Sequence, residues 1–180
     1  MTSPLATPSR WPLLAALMLV ALPLHAQVEG GLPDGTPAPA VQITDLDGRL
    51  VDLGASIGQR PVVLEFWATW CTVCAALMPT MERARQAYGD QVRFVGVNIT
   101  VGERPEAVRA WVERHRPPFE VLYDSSGAAV RAYDVQSTST VVIIDRAGRV
   151  AYTGVGATQD IPAVLARVLA ADPDPRSPSP

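Results

Sequence analysis

The sequence contains no lysine. All 15 of its basic residues are arginine, set against 18 acidic ones for a formal net charge of −3. They form no basic run, so the chain offers no footprint for a nucleic-acid backbone. Cysteine is almost as scarce. The two present, Cys71 and Cys74, are too few for the multiply bridged scaffold of a small secreted domain. Histidine is limited to His25 and His115. Aromatic residues make up only 6%. The apolar run Leu13–Leu22 falls short of the ~20 residues that cross a bilayer. No glycine-rich loop follows a predicted strand to cradle phosphate, and there is no internal repeat. What remains is 180 residues, 48% of them hydrophobic and 18% charged. That suits one globular domain with its own core, and excludes a disordered chain, a collagen-like repeat or a coiled coil.

The termini read differently from the middle. Arg10, the apolar run Leu13–Leu22 and Leu24-His25-Ala26 read as an export signal over residues 1–26. An uncleaved anchor is the alternative. No cysteine follows, so a lipoprotein is not indicated. Cleavage near Ala26 leaves a periplasmic or secreted protein whose cysteines work in an oxidising space. Residues 27–38 are rich in glycine and proline and read as a linker or an extended arm. The folded domain is expected over residues 39–171. Residues 172–180 hold four prolines and read as a disordered tail.

Within the domain, Val41–Thr44 and Arg49–Leu53 alternate apolar and polar residues about Asp45-Leu46-Asp47-Gly48, which predicts a β-hairpin. Pro61–Ala68 and Val92–Val97 read as buried strands. Thr72–Tyr88 reads as a helix stopped by Gly89-Asp90, with a kink expected at Pro79. A helix from about Pro105 to Arg116 ends at Pro117-Pro118, Phe119–Tyr123 reads as a strand, and Gly127–Tyr133 as a short helix. Thr140–Ile144 and Arg149–Val155 form a second hairpin, and Asp160 caps a last helix through Ala170. This order predicts an α/β fold: a mixed central sheet flanked by helices on both faces.

Two features carry chemistry. Cys71 falls at the start of the predicted helix, where unpaired N–H groups and the helix dipole stabilise a thiolate. Cys74 lies nearly one turn further on, on the same side, so a Cys71–Cys74 disulfide can form with little backbone movement. Cys71 is expected to be the exposed nucleophile and Cys74 the shielded resolving thiol; a static structural disulfide is the alternative. Glu65 interrupts the apolar run Val62–Ala68. A buried carboxylate is costly and its pKa rises, which suits a proton acceptor for Cys74, directly or through water. The alternative is a strand-edge acid that reaches solvent.

The stretch Val63-Leu64-Glu65-Phe66-Trp67-Ala68-Thr69-Trp70-Cys71-Thr72-Val73-Cys74, followed by Met78-Pro79, resembles the thioredoxin superfamily, and within it the TlpA/ResA-like extracytoplasmic thiol–disulfide oxidoreductases. Gly35–Pro39 with Asp45–Gly48 resembles that branch's N-terminal β-hairpin extension, Glu103–Asp124 its inserted helix and strand, and Thr140–Gly148 its late strand and turn. The resemblance covers residues 35–170. It implies a thioredoxin-like fold and disulfide exchange with protein substrates, in the reducing direction, with electrons from a membrane thiol reductant. It implies a monomer with no cofactor. Cys71 matches the attacking cysteine, Cys74 the resolving one and Glu65 the buried acid. Trp70, Thr138 and Ser139 match positions that meet substrate. Trp67, Leu77, Met78 and Met81 are expected in the core or at its flank.

The sequence departs from that pattern in three places. Val73 stands where proline usually precedes the second cysteine, so the redox potential does not carry over. Leu77 replaces a glutamate, which leaves Glu65 as the remaining proton carrier. Ser139 replaces the family's cis-proline, and a cis bond before a non-proline residue costs ~3 kcal/mol; this loop is expected to be trans or strained. The last change raises an alternative function, a Cu(I) or iron–sulfur protein using the same cysteines. A peroxiredoxin does not fit, because Thr69 lies two residues before Cys71 rather than three and the proline of that motif is missing. The insert of cytochrome-maturation relatives is not visible around residues 135–140.

Overall fold

The computed structural model describes residues 30–171. The export signal, residues 27–29 of the arm and the proline-rich tail lie outside the described residues.

The elements are β1 (Gln42–Asp45), β2 (Leu50–Asp52), a 3-10 turn (Leu53–Ser56), β3 (Val62–Trp67), α1 (Thr72–Tyr88), β4 (Arg93–Asn98), α2 (Pro105–His115), β5 (Glu120–Tyr123), α3 (Ala128–Ala132), β6 (Thr140–Ile144), β7 (Val150–Val155) and α4 (Ile161–Ala171). The strands form one sheet in the order β2-β1-β5-β4-β3-β6-β7. β3 runs parallel to β4 and antiparallel to β6, so the sheet is mixed, as its element order predicts. This is a thioredoxin-like fold.

Local chemistry sets the turns. The β1–β2 and β6–β7 hairpins share one device. Asp45 and Asp145 each accept the amide of the arginine four residues on, at 2.9 and 2.8 Å. Gly48 and Gly148 take the left-handed backbone these turns demand, at φ 81° and 78°. α2 opens with Pro105 at its first turn, and the chain leaves it through a left-handed Arg116 at φ 47° before Pro117-Pro118 forbids its continuation. α1 continues through Pro79.

Every residue of β3 is buried because both sheet faces are covered. Val63 and Trp67 pack with α1, α2 and α4 through Met81, Val108 and Leu165. Val62, Leu64 and Phe66 pack on the other face with Ala129 of α3 and Leu53 of the 3-10 turn. Trp67 is therefore core, as expected, and Leu77 and Met81 with it. Glu65 lies two residues from both Val63 and Trp67, on the same face of β3, and so faces α1.

Opposite Glu65 in β4 stands Gly96, where a Cβ would run into the Phe119 ring and lie 2.9 Å from Trp67 Nε1. Gly96→Ala is expected to cost about 1–3 kcal/mol through overpacking, read by denaturant unfolding; an unchanged midpoint would mean that Phe119 can withdraw.

Of the two readings of the segment before residue 39, linker or arm, residues 30–38 take the arm. Gly35 N–H donates to Val150 O at 2.7 Å, Val150 N–H to Thr36 O at 2.9 Å and Ala38 N–H to Gly148 O at 2.9 Å. Gly31 N–H reaches Asp134 O at 2.7 Å. The packed domain thus begins by residue 30 rather than at residue 39, because these amides bond to β7 and its neighbours instead of to water.

Candidate active site

β3 delivers the chain to the site. Past Trp67 it makes one turn, closed by Cys71 N–H donating to Ala68 O at 3.1 Å, and enters α1. Cys71 is the N-cap of α1, and its Sγ accepts the Cys74 N–H at 3.0 Å. The sulfur thus occupies the place where a serine or aspartate oxygen commonly caps a helix. Cys71 and Cys74 are disulfide-bonded, with their Cα atoms 5.3 Å apart.

The expected exposure of Cys71 is not what the structure has. Cys71 is 5% accessible and Cys74 2%, because capping turns Sγ inward over the first helical turn. The two sulfurs differ instead in electrostatics. Cys71 sits on the N–H end of the helix; Cys74 lies within it.

Trp70 takes the surface position, 54% exposed, with its Nε1–H donating to Val101 O at 3.0 Å. Val73, on the first turn of α1, and Val155, opposite Thr140 on β7, are also exposed. With Val101 they make four of the five large exposed hydrophobic residues among the described ones, and all four belong to segments bordering the disulfide or the Ser139 loop.

Ser139 lies on the other side of the site, in a loop without a cis peptide. It adopts φ 62°, a left-handed backbone that a residue with a Cβ resists. Its N–H donates to Phe66 O at 2.8 Å, and its carbonyl accepts Gly156 N–H at 3.1 Å and Gln159 Nε2–H at 3.1 Å. Ser139 is fully buried, with an Oγ that has no partner. Its backbone is therefore spent inside the protein, which corrects its expected place against substrate. Thr138 beside it is half-buried, and its backbone enters none of these bonds. Gln159, held in turn by Tyr152 OH at 3.1 Å, was missed by sequence reading. Its only signal is an amide in an otherwise small-residue loop.

Glu65 is fully buried on the face toward α1, the layer that carries both cysteines. Neither carboxylate oxygen has a hydrogen-bond partner, and burial raises its pKa from 4.5 to about 8. The reading of Glu65 as a solvent-reaching edge acid is thereby removed. A second acid, to which no local pattern around it in the sequence points, borders the site. Glu103 accepts from Thr69 and Asn98 at the mouth of the site. A buried asparagine ending an apolar strand was the available clue. Among the described residues no group of three or more His, Cys, Asp or Glu side chains is arranged to hold a metal.

A capped, disulfide-bonded Cys-x-x-Cys at the end of a central strand, with a buried acid behind it, is a redox-active arrangement. A family model described as Redoxin matches residues 33–169. The chain belongs to the redoxin family. This redoxin is 35% identical over 125 residues to the thioredoxin-like protein YneN of Bacillus subtilis (strain 168), covering 69% of this chain and 72% of that one. It is also 35% identical over 130 residues to the thiol-disulfide oxidoreductase ResA of Geobacillus kaustophilus (strain HTA426), covering 71% and 73%. A solved structure from Chlorobium tepidum, provisionally assigned as a thiol:disulfide interchange protein DsbE, superposes with a TM-score of 0.66 at 28% identity, over 78% of this chain and 97% of that one. The redoxin is thus a TlpA/ResA-like member of the thioredoxin superfamily and a thiol–disulfide oxidoreductase.

Proposed function

We propose that the protein reduces disulfides of protein substrates outside the cytoplasm, with Cys71 attacking, Cys74 resolving and Glu65 taking the proton. The observation that carries the assignment is the capping of α1 by Cys71 Sγ. In the reduced protein the same Cys74 N–H and the helix dipole stabilise a thiolate at Cys71. That thiolate attacks a substrate disulfide, forming a mixed disulfide and releasing one substrate thiolate. Cys74 then gives up its proton, attacks Cys71 Sγ, and expels the second substrate thiolate, which is protonated on leaving. The protein is left with the Cys71–Cys74 bond, and a membrane thiol donor returns it to the dithiol.

Glu65 suits the proton transfer because its pKa of about 8 lies within a unit of a free thiol's ~8.5. The exposed Trp70, Val73, Val101 and Val155 suit an uncharged, extended substrate segment, and Thr138 has backbone groups to pair with it. The export signal read in residues 1–26 supports a periplasmic or secreted site of action, and a monomer suffices for this chemistry. No observation favours the metal reading over this one.

The test begins with peptide-resolved alkylation of the reduced protein. Cys71 is expected to react at least about tenfold faster than Cys74, with a midpoint below the ~8.5 of a free thiol. Cys74→Ser is then expected to trap mixed disulfides with extracytoplasmic proteins through Cys71, and Cys71→Ser none. Equal alkylation at both thiols would refute the assignment.

A further inference from the structure

Glu103 stands 34 residues from Thr69 in sequence, yet its carboxylate is the hub of the loop that leads into Cys71. Its two oxygens accept the Thr69 amide N–H, each at 3.1 Å, and Oε1 also accepts the Thr69 hydroxyl. Oε2 accepts Asn98 Nδ2–H at 2.8 Å. Asn98 is buried at the end of β4, and its Oδ1 accepts the Thr100 N–H at 3.0 Å.

The main chain of Glu103 is held as firmly. Its N–H donates to Thr100 O at 3.2 Å, and its carbonyl accepts Tyr123 OH at 2.9 Å, from the far end of the inserted helix and strand. Trp70 Nε1–H on Val101 O adds one more tie. Thr69 and Trp70, the two residues before Cys71, are thus both fastened to the segment from Asn98 to Glu103. A carboxylate acceptor makes such bonds about twice as strong as neutral ones.

This clamp matters most when the disulfide is open. In the oxidised protein the Cys71–Cys74 bond itself holds Cys71 against the helix. In the dithiol and in the mixed disulfide that bond is absent, and the aim of Cys71 Sγ at the Cys74 N–H depends on the turn Ala68–Cys71. The geometry points to Glu103 as a positioning residue that keeps this turn fixed through the reduced and mixed-disulfide states. The inference rests on the reading of Cys71 as the attacking thiol. It gives the inserted segment a task at the chemistry: it carries the acceptor that aims the nucleophile. Misplacement of a reacting atom by ~1 Å costs on the order of a hundredfold in rate, so loss of the clamp falls on the exchange step.

Four variants of the full chain test it: Glu103→Ala, Glu103→Gln, Glu103→Gln combined with Asn98→Asp, and Thr69→Val. The exchange rate per folded molecule with a peptide disulfide is measured at a pH where Cys71 is fully thiolate. The pH profile of Cys71 alkylation and the melting temperatures of both redox forms are recorded beside it. Glu103→Ala is expected to slow exchange at least about tenfold and to move the alkylation midpoint upward. Glu103→Gln alone can turn its oxygen to Asn98 and its NH2 to the Thr69 hydroxyl, so it loses the charge and is expected to fall between the parent and Glu103→Ala. The double change reverses that one bond, with the introduced amide donating to the introduced carboxylate, and keeps the charge of the pair. It is expected to recover exchange to within about threefold of the parent. Thr69→Val removes a single donor, leaves the carboxylate in place, and should slow exchange a few-fold; it decides the matter should Glu103→Ala not fold.

Melting temperatures that fall while exchange rates and alkylation profiles stay at parent values would overturn the inference. So would a double variant no better than Glu103→Gln alone. A parent in which Cys71 is not the faster thiol overturns instead the reading on which it stands, so the two failures are distinguishable.

Discussion

Glu65→Gln is expected to flatten the pH dependence of stability of the oxidised protein. In the folded state the carboxyl, stripped of water and without a hydrogen-bond partner, holds its proton to about pH 8, against 4.5 for the ordinary group. Between those values the folded chain binds more protons than the unfolded one, so unfolding releases a proton and stability falls as pH rises. The ionisation penalty is therefore absent below about pH 4.5 and complete only above pH 8. At ~1.4 kcal/mol per unit, a shift of this size is worth on the order of 5 kcal/mol, a large share of a domain's net stability. Glutamine carries no such penalty at any pH. Denaturant unfolding from pH 5 to 9, with the disulfide intact so that no thiol titrates, should show the parent losing several kcal/mol and the variant staying level. Parallel curves would mean that the carboxylate finds water or a partner.

Ser139→Pro is expected to cost at least ~3 kcal/mol, although it restores the proline that the resemblance implies at this position. Proline fixes φ near −65°, whereas Ser139 sits at φ 62°. Proline also has no N–H to give Phe66 O, the bond that joins this loop to β3. Ser139→Gly, which adopts the left-handed region freely, should stay within about 1 kcal/mol of the parent. A proline variant as stable as the parent would show that the loop can revert to the family's conformation at little expense. The two results together separate backbone strain from side-chain loss, since both changes remove the same hydroxyl.

Much of the fold was legible because its signals are local. Asp45-Gly48 and Asp145-Gly148 announce their hairpins, Pro117-Pro118 marks the end of α2, and the apolar run Val62–Ala68 can only be a strand covered on both faces. The cysteine pair and the acid at Glu65 were legible for the same reason: a nucleophile at a helix start and a charge inside an apolar run are both anomalies of short range. What escaped was of longer range or conformational. Ser139 is recognisable as the residue in the proline position, but its left-handed backbone depends on Phe66 of β3 and on Gly156 and Gln159 in the loop after β7. Glu103 meets Thr69 only once β3 and β4 lie side by side. The burial of Cys71 follows from the direction in which the capping sulfur turns, which spacing alone does not encode.

The arm over residues 30–38 bears on which edge of the sheet is open to another chain. β7 ends the sheet, and an uncovered last strand offers a row of free N–H and C=O groups to any neighbouring chain. Gly35, Thr36 and Ala38 cover the start of that row, at Gly148 and Val150. The layer they add is itself a poor template, because Pro33, Pro37 and Pro39 interrupt it and proline has no N–H to offer a further strand. A chain trimmed to begin after Pro39 would keep its disulfide, its acid and its clamp. It would also carry a sticky border along β7, and self-association through that border would set its behaviour at high concentration.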